Sequence, residues 1–385
     1  MHSRFMQAWW VWRTACVATL KGRLNNIQAA FFMGLLGLGS VPGLTACTSV
    51  PTALKAPVPL QGQAAAAPPA STSAGVPQVS ISTWTSEQGQ VHEVAIWRPS
   101  PSAAHTPQAE HLQPSIDRVY VVPGSGCTGM APILPSYFEG LSAREIIVLH
   151  KPHVRASDWP RPTPCRPGFI AQDDLANWSR AWRSFMSQDM RERPVPAARV
   201  LLVGISEGAE LLPGLMADWP HVGLALLLGS TGLDPWEALL LQLEREHDAS
   251  FAQALQARLN EGAAGTPSQS SATTLKADEE ALIGGRTLSH WRTLRHWPVA
   301  APLGQSRTHT LVLMGGADAV QPPEGLLRFE KRHLRPGMCT RLVPGADHGL
   351  RVGGKQWPRL WPLVQGLMAA PTAMAFAQQC VQQAE

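Results

Sequence analysis

Residues 200–208 read VLLVGISEG. The first six are apolar or small throughout, the pattern of a strand covered on both faces. Gly204-Ile205-Ser206-Glu207-Gly208 then spells G-x-S-x-G, and residues 209–217 read as a helix. Strand, tight turn and helix in that order place a serine on a strained turn. Small neighbours let the strand and helix pack closely, the hydroxyl is exposed, and the helix N-terminus faces developing negative charge. The five-residue pattern alone is weak; its strand–turn–helix context gives it weight.

Further short apolar runs flank this stretch. They lie at 119–122, 146–149, 224–228 and 310–314, with a last one at 340–343. Helical patterns at 174–186 and 209–217 separate some of them. Strands alternating with helices predict an α/β class with a mostly parallel central sheet flanked by helices. Chemistry in such sheets sits at the carboxyl ends of the strands. Residues 79–85 and 91–97 alternate and predict a hairpin across Glu87-Gln88-Gly89. Residues 99–116 read as a polar loop. The rhythm breaks over 235–308, with an amphipathic stretch at 236–260, a Gly/Ser/Thr-rich loop at 261–274 and a Trp/His/Arg-rich stretch at 290–297. This predicts a helical cap insertion. His290, Trp291, His296 and Trp297 are expected to pack it on the core rather than to line a pocket.

Two more parts follow the serine. TLVLMGGAD (310–318) is a strand running into a Gly-Gly loop that ends in Asp318, with Pro322 and Pro323 after it. PGADHG (344–349) sets His348 just beyond another short strand. Ser, Asp, His is the chain order of an α/β-hydrolase triad. On Gly204–Gly208, Gly315–Asp318 and Asp347-His348-Gly349 the chain resembles the α/β-hydrolase superfamily over about residues 79–370, closest to its dienelactone-hydrolase-like and prolyl-oligopeptidase-like branches. The resemblance implies an α/β-hydrolase fold and acyl transfer. Ser206 would be the nucleophile, His348 the general base and acid, and Asp318 the group that fixes the imidazole tautomer. Asp234, after the preceding strand, is the rival acid, since some lipases use that position. Its expected task is to start the helix opening the insertion, with Pro235 in the first turn. Asp347 reads as a loop residue.

An oxyanion hole needs two backbone N–H groups. Glu207, next after the serine, is expected to supply one. The other is expected from Pro123-Gly-Ser-Gly-Cys127, at Ser125 with Gly126 as the alternative. The superfamily usually has His-Gly there; this chain has Pro-Gly.

Arg4, Arg13, Lys21 and Arg23 lie in the first 46 residues, which hold no acid. They are followed by AAFFMGLLGL (29–38), the length of a signal-peptide core and too short to span a bilayer. Leu44-Thr45-Ala46-Cys47 resembles a bacterial lipobox. The expectation is a lipoprotein signal at 1–46, acylation of Cys47 and an Ala/Pro-rich tether over 47–78, with the hydrolase domain at 79–385. Thr48 after the Cys points to the outer membrane, facing the periplasm. Without the leader, 28 basic residues match 28 acidic ones, which argues against a nucleic-acid binder. In an oxidising compartment Cys127, Cys165, Cys339 and Cys380 are expected to pair as Cys127–Cys165 and Cys339–Cys380, each cysteine with its nearer neighbour; four free buried thiols are the alternative.

Three motifs are decoys. Gly124-Ser-Gly126-Cys-Thr-Gly129 fits G-x-G-x-x-G, but Pro132 and Pro135 interrupt the helix it needs. Gly349 to Lys355 mimics a phosphate loop, but Gln356 stands where Ser or Thr belongs. His150-x-x-His153 reads as a loop, not a metal site. The expected activity is hydrolysis of a carboxylic ester in a small-molecule or acyl substrate, with no cofactor and no metal. A peptidase or thioesterase on the same triad, or a catalytically idle envelope-binding lipoprotein, are the alternatives.

Overall fold

The computed structural model describes residues 79–99, 116–261, 282–370 and 372–382. The expected leader, Cys47, the tether up to residue 78, most of the 99–116 loop and residues 262–281 lie outside them.

Eight strands make one sheet: β1 (Val79–Thr85), β2 (Val91–Trp97), β3 (Ile116–Val122), β4 (Ala143–Leu149), β5 (Val200–Ile205), β6 (Leu224–Leu228), β7 (Thr310–Gly315) and β8 (Met338–Val343). Their spatial order is β1-β2-β4-β3-β5-β6-β7-β8. Only β2 runs against the rest, pairing antiparallel with β1 and β4, while every other pair is parallel. This is the α/β-hydrolase fold expected above. The predicted hairpin is β1–β2, with Gly89 at φ +75° in its turn.

The continuous apolar runs follow from burial on both faces. In β5, Leu202 joins one core with Trp178, Trp182 and Leu212, while Leu201 and Val203 join the other with Trp361 and Leu363. Helices α1 (Leu134–Tyr137), α2 (Pro167–Gln172), α3 (Leu175–Glu192) and α4 (Leu212–Asp218) lie between β3 and β6. In α3, Trp178, Trp182 and Phe185 form one stripe, and Asp174 caps its start by accepting from the N–H groups of Ala176 and Asn177. Between β6 and β7 come α5 (Pro235–Arg245), α6 (Ala249–Glu261), α7 (Leu288–Arg295) and α8 (Ala300–Gln305). Ala238, Leu243, Trp291, Leu294 and Leu303 of this segment share the core of α3 and α4. The stretch 236–260 is therefore two helices, broken where His247 takes φ +55°. Helix α9 (Pro323–His333) follows β7; α10 (Leu360–Ala369) and α11 (Ala373–Gln382) follow β8. No helix among the described residues is long and apolar enough to cross a membrane.

Three strands begin earlier than their expected runs: β8 takes in Met338 and Cys339, while β3 and β4 are opened by stretches that hold charged residues. Arg118 in β3 is 3% exposed and bonds Glu145 of β4 at 2.7 Å and Asp189 of α3 at 2.9 Å. Pairing of this kind makes buried charge tolerable. Disulfides join Cys127 to Cys165 and Cys339 of β8 to Cys380 of α11.

The chain leaves β3 for β4 on one side and returns to β5 on the other. The carboxyl ends of β3 and β5, paired at Val122 and Gly204, therefore flank a topological switch point, where α/β sheets bind ligands.

Candidate active site

Ser206 follows β5 directly and takes φ +53°, a left-handed conformation that a non-glycine residue occupies at a cost. Two glycines make the turn possible by close approach. A Cβ on Gly204 would lie 2.5 Å from Cα of Ala209, and one on Gly208 would lie 2.1 Å from the carbonyl oxygen of Val122. Any side chain at either position would drive the turn off its strand. The helix that follows begins as a 3₁₀ turn, Ser206–Leu211, before α4 takes over at Leu212. The expected single helix at 209–217 is thus two pieces, the tight first one being set by the elbow.

The structure brings Ser206, His348 and Asp318 together from three separate strand ends. His348 Nε2 lies 2.9 Å from Ser206 Oγ, and His348 Nδ1 lies 2.7 Å from Asp318 Oδ2. Asp318 is buried, and its other oxygen, Oδ1, accepts from the N–H groups of Val320 at 2.7 Å and Gln321 at 2.9 Å. That leaves Oδ2 for the ring, so Nδ1 carries the proton and Nε2 presents its lone pair to the serine. Gly229, at the end of β6, lies against the same imidazole; a Cβ there would be 3.1 Å from its Cε1. Arg245 of α5 donates to the backbone carbonyls of Asp318 at 3.1 Å and Gln321 at 3.3 Å, clamping the acid's loop from outside.

Asp234 is elsewhere. Its Oδ1 accepts from the N–H groups of Val299 at 2.7 Å and Ala300 at 2.8 Å. It makes no side-chain bond to α5, the helix it precedes. The expected cap is therefore corrected: Asp234 caps the start of α8, some sixty residues on, because that is where the fold presents unpaired N–H groups. Asp347 closes its own loop, accepting from the N–H groups of Gly349 and Arg351.

Of the two expected oxyanion donors, the N–H of Glu207 lies in the first turn of the 3₁₀ segment, where helices leave donors without an internal acceptor. Ser125 is exposed on the loop after β3. Gly124 beside it rests on the elbow, where a Cβ would be 3.3 Å from Ser206 Cβ. The disulfide from Cys127 ties this loop to the 155–165 segment, as do bonds from Gly129 N to Asp158 O and from Ala131 N to Ala156 O.

The Glu207 side chain has a second setting that sequence reasoning missed. It is buried in a closed ring of four charges. Lys151 Nζ lies 2.6 Å from Glu207 and 2.7 Å from Asp173; Arg286 reaches Glu207 at 3.1 Å and also bonds Asp173. Lys151 further sits 4.2 Å above the Trp178 ring. Burial alone would raise the Glu207 carboxyl, but Arg286 and Lys151 outweigh it and hold the group well below the usual carboxylate range. Glu210, one turn on, feels the same two cations more weakly. Burial and the charge on Glu207 push its carboxyl well up against the pull of Arg286 and Lys151, and its Oε2 is buried without a hydrogen bond among the described residues. His290, brought in by α7, is held neutral. Burial and the nearby Arg286 lower it to about 4.

The decoys resolve structurally. Gly124–Gly129 leads from β3 into a 3₁₀ turn and the four-residue α1, not a long helix. Gly353 and Gly354 make the turn of a small hairpin, β9 (Arg351–Val352) with β10 (Lys355–Gln356). His150 is buried, with Nδ1 3.0 Å from the Glu93 carbonyl and Nε2 accepting from Met130 N–H; burial lowers it to about 4.

No family model matches the chain, and no curated protein matches it. Solved structures similar to it are α/β hydrolases at low identity. An esterase from Rhodococcus sp. ECU1013 is 17% identical, covering 76% of this chain and 100% of that one at a TM-score of 0.42. A 2-hydroxy-6-oxo-6-phenylhexa-2,4-dienoate hydrolase from Rhodococcus sp. strain RHA1 is 15% identical, covering 75% and 98% at 0.44. A puromycin-hydrolyzing peptidase from Mycobacterium tuberculosis is 14% identical, covering 79% and 39% at 0.46.

Proposed function

We propose that the chain is a serine hydrolase cleaving a carboxylic ester through an acyl-enzyme on Ser206. One observation carries the reading: the unbroken path from Asp318 through His348 to a serine held at positive φ. In the first step Ser206 Oγ attacks the ester carbonyl while its proton passes to His348 Nε2. Asp318 stabilises the imidazolium that forms. The carbonyl oxygen becomes an oxyanion, received by the N–H groups of Glu207 and Ser125. The C–O bond then breaks, and the proton on Nε2 goes to the departing alcohol. Water attacks the acyl group, again giving a proton to Nε2. As the second tetrahedral species collapses, that proton returns to Ser206 Oγ and the acid leaves.

Peptide and thioester bonds suit the same machinery, and an idle scaffold is the opposing reading. Labelling with a fluorophosphonate probe separates enzyme from scaffold, since only a serine activated by a neighbouring base reacts. Ser206→Ala is expected to abolish both labelling and ester hydrolysis by several orders of magnitude with the fold intact. A folded variant keeping more than about 10% of wild-type activity overturns the assignment. As part of the same proposal, acyl chains on Cys47 hold the domain at a bacterial envelope membrane. The support is the apolar run and lipobox-like residues of the leader, and the mass of the mature N-terminus tests it.

A further inference from the structure

The four-charge ring draws its members from distant parts of the chain. Lys151 lies just beyond β4, Asp173 lies between α2 and α3, and Glu207 follows Ser206 directly. Arg286 alone comes from the segment between β6 and β7. Each acid bonds both cations and each cation bonds both acids. Arg286 is the most exposed member, its side chain 18% accessible against 4–7% for the other three. Three members are thus fixed in the core, and the fourth arrives with the segment. The same segment also holds the acid's loop through Arg245, so it touches both ends of the Ser206–His348–Asp318 path.

We infer that Arg286 is a positioning residue, which by closing the ring on Glu207 sets the turn that carries Ser206 and the Glu207 N–H. The physical reason is the left-handed turn itself. A residue held at unfavourable φ persists only where its surroundings over-determine it. The glycine contacts fix the turn against β3 and the following helix, and the ring fixes the side chain immediately after the serine. Without Arg286, Glu207 and Asp173 compete for Lys151 alone, and the two like charges repel. Glu207 then shifts, and its own backbone N–H and the serine before it shift with it.

The inference rests on the serine-hydrolase reading, and its test separates the two. The rate of acylation is measured per labelled site, using a fluorophosphonate to count sites and a neutral p-nitrophenyl ester as substrate. Wild-type protein that does not label at Ser206 sinks the hydrolase reading, and this inference with it. With labelling in hand, Arg286→Gln is expected to slow acylation by about 10- to 100-fold while KM stays within about threefold, as misplacement of a reacting group does. Arg286→Lys should recover most of that loss, because Lys151 already shows that one ammonium bridges both acids. A merely structural arginine would change melting temperature and the number of labelled sites, but not the rate per site. Folded Arg286→Gln with an acylation rate within threefold of wild type overturns the inference. Should that variant not fold, Arg286→Gln combined with Asp173→Asn keeps the ring neutral and is measured in its place. There Glu207 has Lys151 to itself and lacks only its Arg286 contact, so a smaller loss of about 3- to 10-fold is expected, and a rate per site within threefold of wild type overturns the inference equally.

Discussion

The loops after β6 and β7 begin alike. Each leaves a buried parallel strand through glycine, and each delivers an aspartate within a few residues, Asp234 and Asp318. Yet their carboxylates do unlike things. Asp318 divides its two oxygens, one to backbone N–H groups and one to an imidazole. Asp234 uses one oxygen to cap a distant helix. What separates them is the short turn after β7, which folds Asp318 back on itself, whereas the chain after β6 departs into helix α5 and the long segment behind it. Position at a strand end makes an acid available, and its partners decide its use.

The sharpest way to break that comparison is Asp318→Asn. The amide oxygen would keep the Val320 and Gln321 N–H groups, so the NH₂ would face His348 Nδ1. That nitrogen must then accept, the ring proton moves to Nε2, and Ser206 loses its base. Turnover should fall by about 10⁴-fold at unchanged melting temperature, the size of loss known for this change in a worked serine triad. Steady-state kinetics on active-site-titrated protein check it.

Acidification acts on the whole frame in which the two loops sit. His150 and His290 are lowered to about 4 from an ordinary 6.5, in both cases chiefly by burial. Between those values the unfolded chain binds protons that the folded chain refuses. The stability these groups contribute is therefore complete above about pH 6.5, declines as pH falls towards 4, and declines no further below that. The loss should reach at most about 3 kcal/mol per histidine. Denaturant midpoints from pH 7.5 to 4 read it, and a flat profile would contradict the neutral burial of both rings.

The smallest effect belongs to Asp234→Ala. Losing the cap on α8 should cost about 1–2 kcal/mol and leave kcat within about threefold. If this variant lost activity on the scale of Asp318→Asn, the two acids would not have separate tasks. Its smaller reserve should also make it the first to unfold in the acid series.

Much of the sheet was legible because β3 to β8 carry apolar residues towards both cores, so periodicity was not needed to find them. Strand starts were hidden where Arg118 and Glu145 neutralise each other out of sight, a pairing visible only once β3 and β4 are neighbours. At the candidate site, Ser206, Asp318 and His348 stood out through local turn chemistry around each residue. The Lys151–Asp173–Glu207–Arg286 ring did not. Its members are common charged residues up to 135 positions apart, and nothing local marks a carboxylate beside the serine as buried rather than solvated. Asp234 misled for the same reason: the Asp-Pro start of α5 is a local signal, and the long-range α8 cap prevailed over it.

The pairing of the described cysteines has a consequence for how the chain is made. Taken in the order they leave the ribosome, the first joins the second and the third joins the fourth, at separations of 38 and 41 residues. The bridges neither cross nor nest. The proper partner of Cys127, and likewise of Cys339, is the next of these four to emerge, so oxidation that keeps pace with synthesis arrives at the native set directly. A fully extruded, reduced chain faces three ways of joining four cysteines. Refolding from that state would have to sort among them by thiol–disulfide exchange.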